Sequence, residues 1–202
     1  LEVAVNLEAD RVEFGLKQRI MNRSHAFWSL GFFTTGLFGA VMAQLGVSVA
    51  FHFAGFGMLV VMLTVFIFSG FIQAPPRPSA EAVTPYFVRP SAAIMVLVCL
   101  TLSAMLAEGS AIDWSVIYMR DIFSTLPLVN GLALALTAFF QFITRYFADY
   151  FVDQYGPRRV ARICLWVMLA GVILVVVAPV WPAALAGFAC LGAGSSVIFP
   201  LA

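Results

Sequence analysis

The 202-residue sequence predicts an all-α membrane protein with six transmembrane helices, on three observations. Hydrophobic residues make up 62% of the chain and charged residues 10%, with a mean hydropathy of +1.00. A soluble domain carries roughly 25% charged residues, so this chain lacks the polar groups needed to cover a water-facing surface. The charges are also segregated: residues 24–76, 90–107, 122–144 and 163–202 hold no Asp, Glu, Lys or Arg, and eight charges crowd into residues 1–25. Finally, runs such as Met58 to Phe68 are apolar on every face. A membrane barrel needs strands of about 10 residues that alternate apolar and polar. A helix of about 20 apolar residues instead crosses the hydrocarbon core with its backbone satisfied internally.

The elements follow in order. Residues 1–25 are predicted to form a connecting helix, with Val12, Leu16 and Ile20 along one face at i, i+4 spacing. Six apolar segments come next, at 26–46, 49–72, 92–117, 127–148, 160–178 and 182–202. In the first, Gly31, Thr35, Gly39 and Ala43 recur every four residues, as do Ala186, Cys190 and Gly194 in the sixth. Small residues at this spacing let helices approach closely. Two connections are very short, around Gly46 to Ser48 and Pro179 to Pro182. The connection at 73–91 is long and holds five of the ten prolines (Pro75, Pro76, Pro78, Pro85 and Pro90). Proline blocks helix continuation and favours extended chain, which marks a linker between two helical units.

Lys and Arg placement orients the segments. One set of connections holds Arg11, Lys17, Arg19, Arg23, Arg77, Arg89, Arg158, Arg159 and Arg162; the opposite set holds only Arg120. By the positive-inside rule, residues 1–25, 73–91 and 149–162 are cytoplasmic. A net charge of +1 gives no reason to expect a nucleic-acid or acidic partner. Cys99, Cys164 and Cys190 lie in apolar segments, odd in number and without metal-ligand spacing, and are predicted to be buried packing thiols with no metal and no disulfide. No basic-then-apolar signal peptide opens the chain. It lacks an initiator Met and ends in the apolar run Ser196 to Ala202, as a fragment would.

Arg145, Asp149, Asp153, Gly156, Arg158 and Arg159 fall in the turn between the fourth and fifth segments. This stretch resembles the signature loop of the major facilitator superfamily, a Gly-x-x-x-Asp-basic-x-Gly-x-basic pattern. Asp153, Gly156 and Arg158 match it. Asp149 stands where the pattern has its first Gly, Gln154 replaces the basic residue, and Pro157 takes a position that is often Arg. Glycine allows a tight reversal, and a carboxylate pairs with nearby Arg or with a neighbouring helix N-terminus. In that family two six-helix bundles are joined by a long cytoplasmic linker, and the signature recurs between helices two and three and between eight and nine. Here the long linker follows the second segment and the signature follows the fourth, so the resemblance implies family helices five to ten. It covers essentially the whole chain and implies a partial twelve-helix fold. Residues 1–72 would be a cytoplasmic connecting segment plus the last two helices of the N-terminal bundle, 73–91 the central linker, and 92–202 the first four helices of the C-terminal bundle. The stretches Asn22 to Gly31 and Ala107 to Ser115 are further similar to a bacterial branch near the sugar permeases, which implies a bacterial inner membrane.

Glu108 is the most informative candidate. It stands about 16 residues, or about 24 Å of helix rise, into the third segment. That places it in the outer half of the membrane beside Gly109, where a helix could break. An acid at the bilayer centre costs roughly 2.5–3.5 kcal/mol on insertion scales, so its burial has a reason. Glu108 is either a proton-coupling or substrate-contacting carboxylate, or an acid that reaches the outer interface or is capped by a neighbouring helix. Thr101, Glu108 and Ser115 recur every seven residues on one face, and Thr137, Gln141, Thr144 and Arg145 form a second polar stripe on the next segment. Two polar-faced neighbours imply a shared aqueous cavity, with Gln141 the first candidate for a substrate hydrogen bond and Thr137 and Thr101 beside it. Interhelical glue is the alternative for Gln141 and the threonines. Arg145 and Asp149, four apart, can pair on one helix. Either Arg145 snorkels to the cytoplasmic surface with a local partner, or the two form with Asp153 an ion-pair gate remade during transport. Asp113, Arg120 and Asp121 are expected on a solvated outer loop, and His25 and His52 as interfacial polar tips.

These features point to a secondary transporter that moves a small solute by alternating access, driven by an ion gradient, with proton symport or antiport the expected coupling. No catalytic residue or cofactor is expected. A phosphate-binding Gly-rich Lys-Ser/Thr loop is absent, and Ser195 and Ser196 lack both a Gly-x-Ser-x-Gly setting and a downstream His to act as base. The alternatives are a passive channel, for which no filter or charged ring is visible, an intramembrane enzyme, or a complete six-span protein that dimerises. Expected partners are the solute, the lipid bilayer, protons and the remaining helices of a full-length transporter, with no nucleic acid.

Overall fold

The chain opens with α1 (Glu2–Leu16) and turns over residues 17–20, where Lys17 takes a left-handed backbone, before α2 (Met21–Gln44) begins. The computed structural model describes residues 2–72, 74–75 and 90–197. Glu13 fixes the start of α2: its Oε2 accepts hydrogen bonds from the backbone N–H of Ile20 (2.9 Å) and Met21 (3.0 Å). A carboxylate there satisfies orphan donors and meets the positive end of the helix dipole. The connecting helix predicted over 1–25 is therefore two elements. It stops at Leu16, so Ile20 does not share its face, and α2 takes residues 21–25.

From α2 the chain turns at Gly46 into α3 (Val49–Ser69), whose first turn is capped by Ser48 Oγ accepting from Phe51 N–H at 3.4 Å. No residue of α3 is buried. It meets α2 through an aromatic cluster in which His52 lies 5.6 Å from Phe38 and 6.2 Å from Phe56, so His52 is a packed ring as much as a polar tip. Most of the linker predicted at 73–91 lies outside the described residues.

The four remaining helices are α4 (Ala92–Phe123), α5 (Pro127–Tyr155), α6 (Pro157–Val177) and α7 (Trp181–Ser195). Pro127, Pro157 and Pro182 sit in the first turns of α5, α6 and α7, where a missing N–H costs nothing. The longer helices change two predicted loops. α4 continues through Gly109 without a break and on to Phe123, so Asp113, Arg120 and Asp121 stand exposed on a helix, with Arg120 Nε 2.7 Å from Asp121 Oδ1. α5 continues to Tyr155, so the predicted signature turn shrinks to Gly156, whose φ of +81° is open only to glycine at low cost. Cys164 is buried, but Cys99 is exposed on α4, contrary to a packing thiol.

Five of the described helices, α2 to α6, are long and apolar enough to cross a membrane. The described part of α7 has 15 residues, and the end of the predicted 182–202 segment beyond Val197 lies outside the described residues. The fold is an all-α membrane protein with α5 at its centre, in contact with α2, α4, α6 and α7.

Close contacts through small residues set this packing. α2 and α5 run antiparallel in register, with Asn22 beside Asp149, Ser29 beside Gln141, Phe33 beside Phe139, Gly36 beside Leu134, and Gln44 Oε1 accepting from Leu128 N–H at 3.1 Å. A Cβ on Gly131 would overlap the Ala40 side chain. The predicted stripe is borne out only in part: a Cβ on Gly39 would lie 3.7 Å from His52 of α3, nothing lies within 4 Å of one on Gly31, and the contact with α5 is made by Gly36 and Ala40. On α7 a Cβ at Gly192 would strike the Thr137 backbone carbonyl of α5, and one at Gly194 the backbone of Cys164 and Met168 on α6, in line with the small-residue prediction at Gly194.

Candidate functional site

Arg145 projects from α5 into the place where α2, α4, α5 and α7 meet, and only 5% of its surface is exposed. Its Nη2 donates to both Glu108 carboxylate oxygens of α4 at 3.1 Å. Nη1 donates to Ser29 Oγ of α2 at 2.7 Å, and Nε donates to the Ser196 carbonyl oxygen, at the C-cap of α7, at 3.0 Å. The Trp28 ring lies 5.9 Å from the guanidinium carbon, within cation–π range. The fork geometry of guanidinium suits these divergent partners in a way a lysine ammonium does not.

The Ser196 contact has a cause in the sequence. In a helix that carbonyl would accept from the N–H of residue 200, which is a proline and has none. Arg145 Nε supplies the donor, and its charge complements the negative end of the helix.

Two sequence expectations for Arg145 fail here. It does not snorkel, and it does not pair with Asp149. Helical side chains lean toward the helix N-terminus, so Arg145 leans away from Asp149, and an Arg placed N-terminal to an acid is the less favourable order. Glu108 is capped by a neighbouring helix, as one of its two readings held. It also falls near the middle of the 32-residue α4, because the helix extends past residue 117.

Gln141, fully buried, lies next to this network. Its Oε1 accepts from Ser29 Oγ at 2.9 Å, while its Nε2 has no partner among the described residues. Ser115 Oγ on α4 is likewise buried without a partner. The other members of the two predicted stripes go elsewhere. Thr137 Oγ1 lies 2.8 Å from the Ala133 carbonyl and 3.2 Å from the Phe188 carbonyl of α7, which is the glue reading. Thr144 lines an apolar cavity of about 380 Å³ with Phe151, Ile163 and Val167. Thr101 is half-buried and takes no part in the network.

The residues predicted as a gate separate into two layers. Asp149 is buried, and its Oδ1 accepts from Asn22 Nδ2 at 2.6 Å. Asp153 is exposed and pairs with Arg19 at 3.2 Å, not with Arg158 or Arg159, which stand exposed in the first turn of α6. Asn22, Ser29 and Arg19 are partners that the sequence reading did not single out. The signal was present: Asn22 and Ser29 are seven apart on an apolar helix, the same spacing that drew notice to Thr101, Glu108 and Ser115.

A bundle of long apolar helices with an ion pair, Glu108–Arg145, buried between α4 and α5 defines a polytopic integral membrane protein. Residues 96–202 match the family model described as Major Facilitator Superfamily, and the chain belongs to that family. Over its full length it is 28% identical to an uncharacterized transporter of Sinorhizobium fredii and 25% identical to an uncharacterized MFS-type transporter of Yersinia pestis. It covers 53% and 52% of those proteins, so the chain spans about half the length of the curated relatives it matches. No solved structure matches it.

Proposed function

We propose that the chain is the central part of a secondary transporter that carries a small solute by alternating access, coupled to protons as symporter or antiporter in a bacterial inner membrane. In this reading residues 1–72 hold the last two helices of an N-terminal bundle, 73–91 the linker and 92–202 the first four helices of a C-terminal bundle. Residues 1–25, 73–91 and 149–162 face the cytoplasm. The observation that carries the reading is the α2–α5 seam. It joins elements from the two sides of the linker, is held mostly by small and aromatic residues, and is crossed by one buried charged network through Ser29. Such a contact is bistable: it holds while Arg145 reaches Ser29 and slides when that bond exchanges for a solute or water. Gln141 Nε2, a buried donor beside it without a partner among the described residues, is the group assigned to the solute.

Full-length protein in proteoliposomes under an imposed proton gradient tests this with a panel of labelled sugars and organic acids. Saturable uptake with counterflow exchange is expected. Flux that neither saturates nor shows counterflow would favour the channel alternative.

A further inference from the structure

We propose that Asp149 is a proton-binding site, its carboxyl held as the neutral acid against Asn22 at the α2–α5 seam. The inference deepens the proton-coupled reading above and rests on it for the use of the proton, not for its binding.

Asn22 is 8% and Asp149 6% exposed, and Asn22 Nδ2 donates to Asp149 Oδ1 at 2.6 Å. The second oxygen of each group, Asn22 Oδ1 and Asp149 Oδ2, is buried with no partner among the described residues. An ionised carboxylate only accepts, and so does the amide oxygen, so two acceptors would be left without a donor between them. Buried polar groups are rarely left so. One proton on Asp149 Oδ2 turns that oxygen into a donor and offers a partner to the orphaned Asn22 Oδ1, while Nδ2–H keeps its bond to Oδ1. The proton comes from water and returns to water when the seam opens; nothing else is exchanged.

The charges around the pair allow this. On α5, Arg145 is one turn away but is turned to Glu108, Ser29 and Ser196, and Asp153 is exposed with Arg19. On α2, Arg23 is exposed with its guanidinium carbon 5.9 Å from the Tyr146 ring, and His25 lies one turn beyond Asn22. α4 contributes Glu108, which already holds Arg145, and α7 carries no charge in its described length. Among α6 residues, Arg158, Arg159 and Arg162 lie in its first two turns. Glu108 is the opposite case, since both its oxygens accept from Arg145 and its ionised form is the one the geometry uses. The position is also where the signature pattern of the family has glycine, so the acid is a feature of this chain.

Infrared spectra of the full-length protein in lipid at neutral pH read the site without any transport. A protonated-carboxyl band is expected, lost in Asp149→Asn and kept in Asp153→Asn and Glu108→Gln. Asp149→Asn offers the same donor and acceptor and so retains the fold. In Asn22→Leu the band is expected at higher frequency, because the acid has lost its amide partner. A band that survives Asp149→Asn, a band absent from the wild type, or one unmoved by Asn22→Leu would each overturn the proposal. Failure of solute transport would leave these spectra unchanged, so the two readings fail separately.

Discussion

Arg145 is held by three helices besides its own, which makes its contribution separable by substitution. Removing one member of a buried ion pair leaves the other uncompensated, at about 3–5 kcal/mol. Arg145→Gln, which strands Glu108, is therefore expected to lower the thermal denaturation midpoint in detergent markedly. Glu108→Gln combined with Arg145→Gln should recover most of the midpoint while transport stays lost. A double variant as unstable as the single one would mean the ion pair is not what Arg145 serves. Glu108, Gln141 and Arg145 were legible in the sequence because a charged or amide side chain within an apolar helix stands out. Their partners were not, since Arg145 meets Ser29 and Glu108 across 116 and 37 residues of chain. The local partner at i+4 was the natural choice, and side-chain lean, which no composition reports, decides against it.

Elements behave similarly. The apolar cores of the helices follow from composition, but their ends depend on caps and continuations that alternate polar and apolar residues. α4 runs through Asp113 and Arg120 because a helix leaving the hydrocarbon core loses nothing by continuing in water, so charge is a poor stop signal. The small-residue stripes show what spacing does and does not carry. Gly194 lies at a helix contact as predicted, while Gly31 lies at none, because many faces of an apolar helix carry such a repeat by chance. Gly192→Ala places a methyl against the α5 backbone and is expected to destabilise by about 1–3 kcal/mol or more. Gly31→Ala, with open space at its Cβ, should be neutral or stabilising by up to about 1 kcal/mol through helix propensity. Denaturation midpoints of the two variants check this; equal loss would contradict the packing assigned to α5 and α7.

At the scale of the whole molecule, the order of linker and signature turn made the family legible before any coordinates, because both are loop features with distinct composition. The pairing of α2 with α5 across that linker was not legible, since it depends on which apolar faces fit together, and six apolar segments offer many combinations. α3, with no residue buried, has its surface free for lipid or further helices, in keeping with a chain that spans half of its relatives. Alternating access, as proposed, requires the α2–α5 seam to open at one end while it stays closed at the other. Paired spin labels test it most directly in the reconstituted full-length protein, one pair at Arg23 and Tyr146 and another at Gln44 and Leu128. Distance distributions should show two populations, the long distance of one pair accompanying conditions that give the short distance of the other. Both pairs lengthening together, or a single short distance at both ends under every gradient and solute, would contradict it.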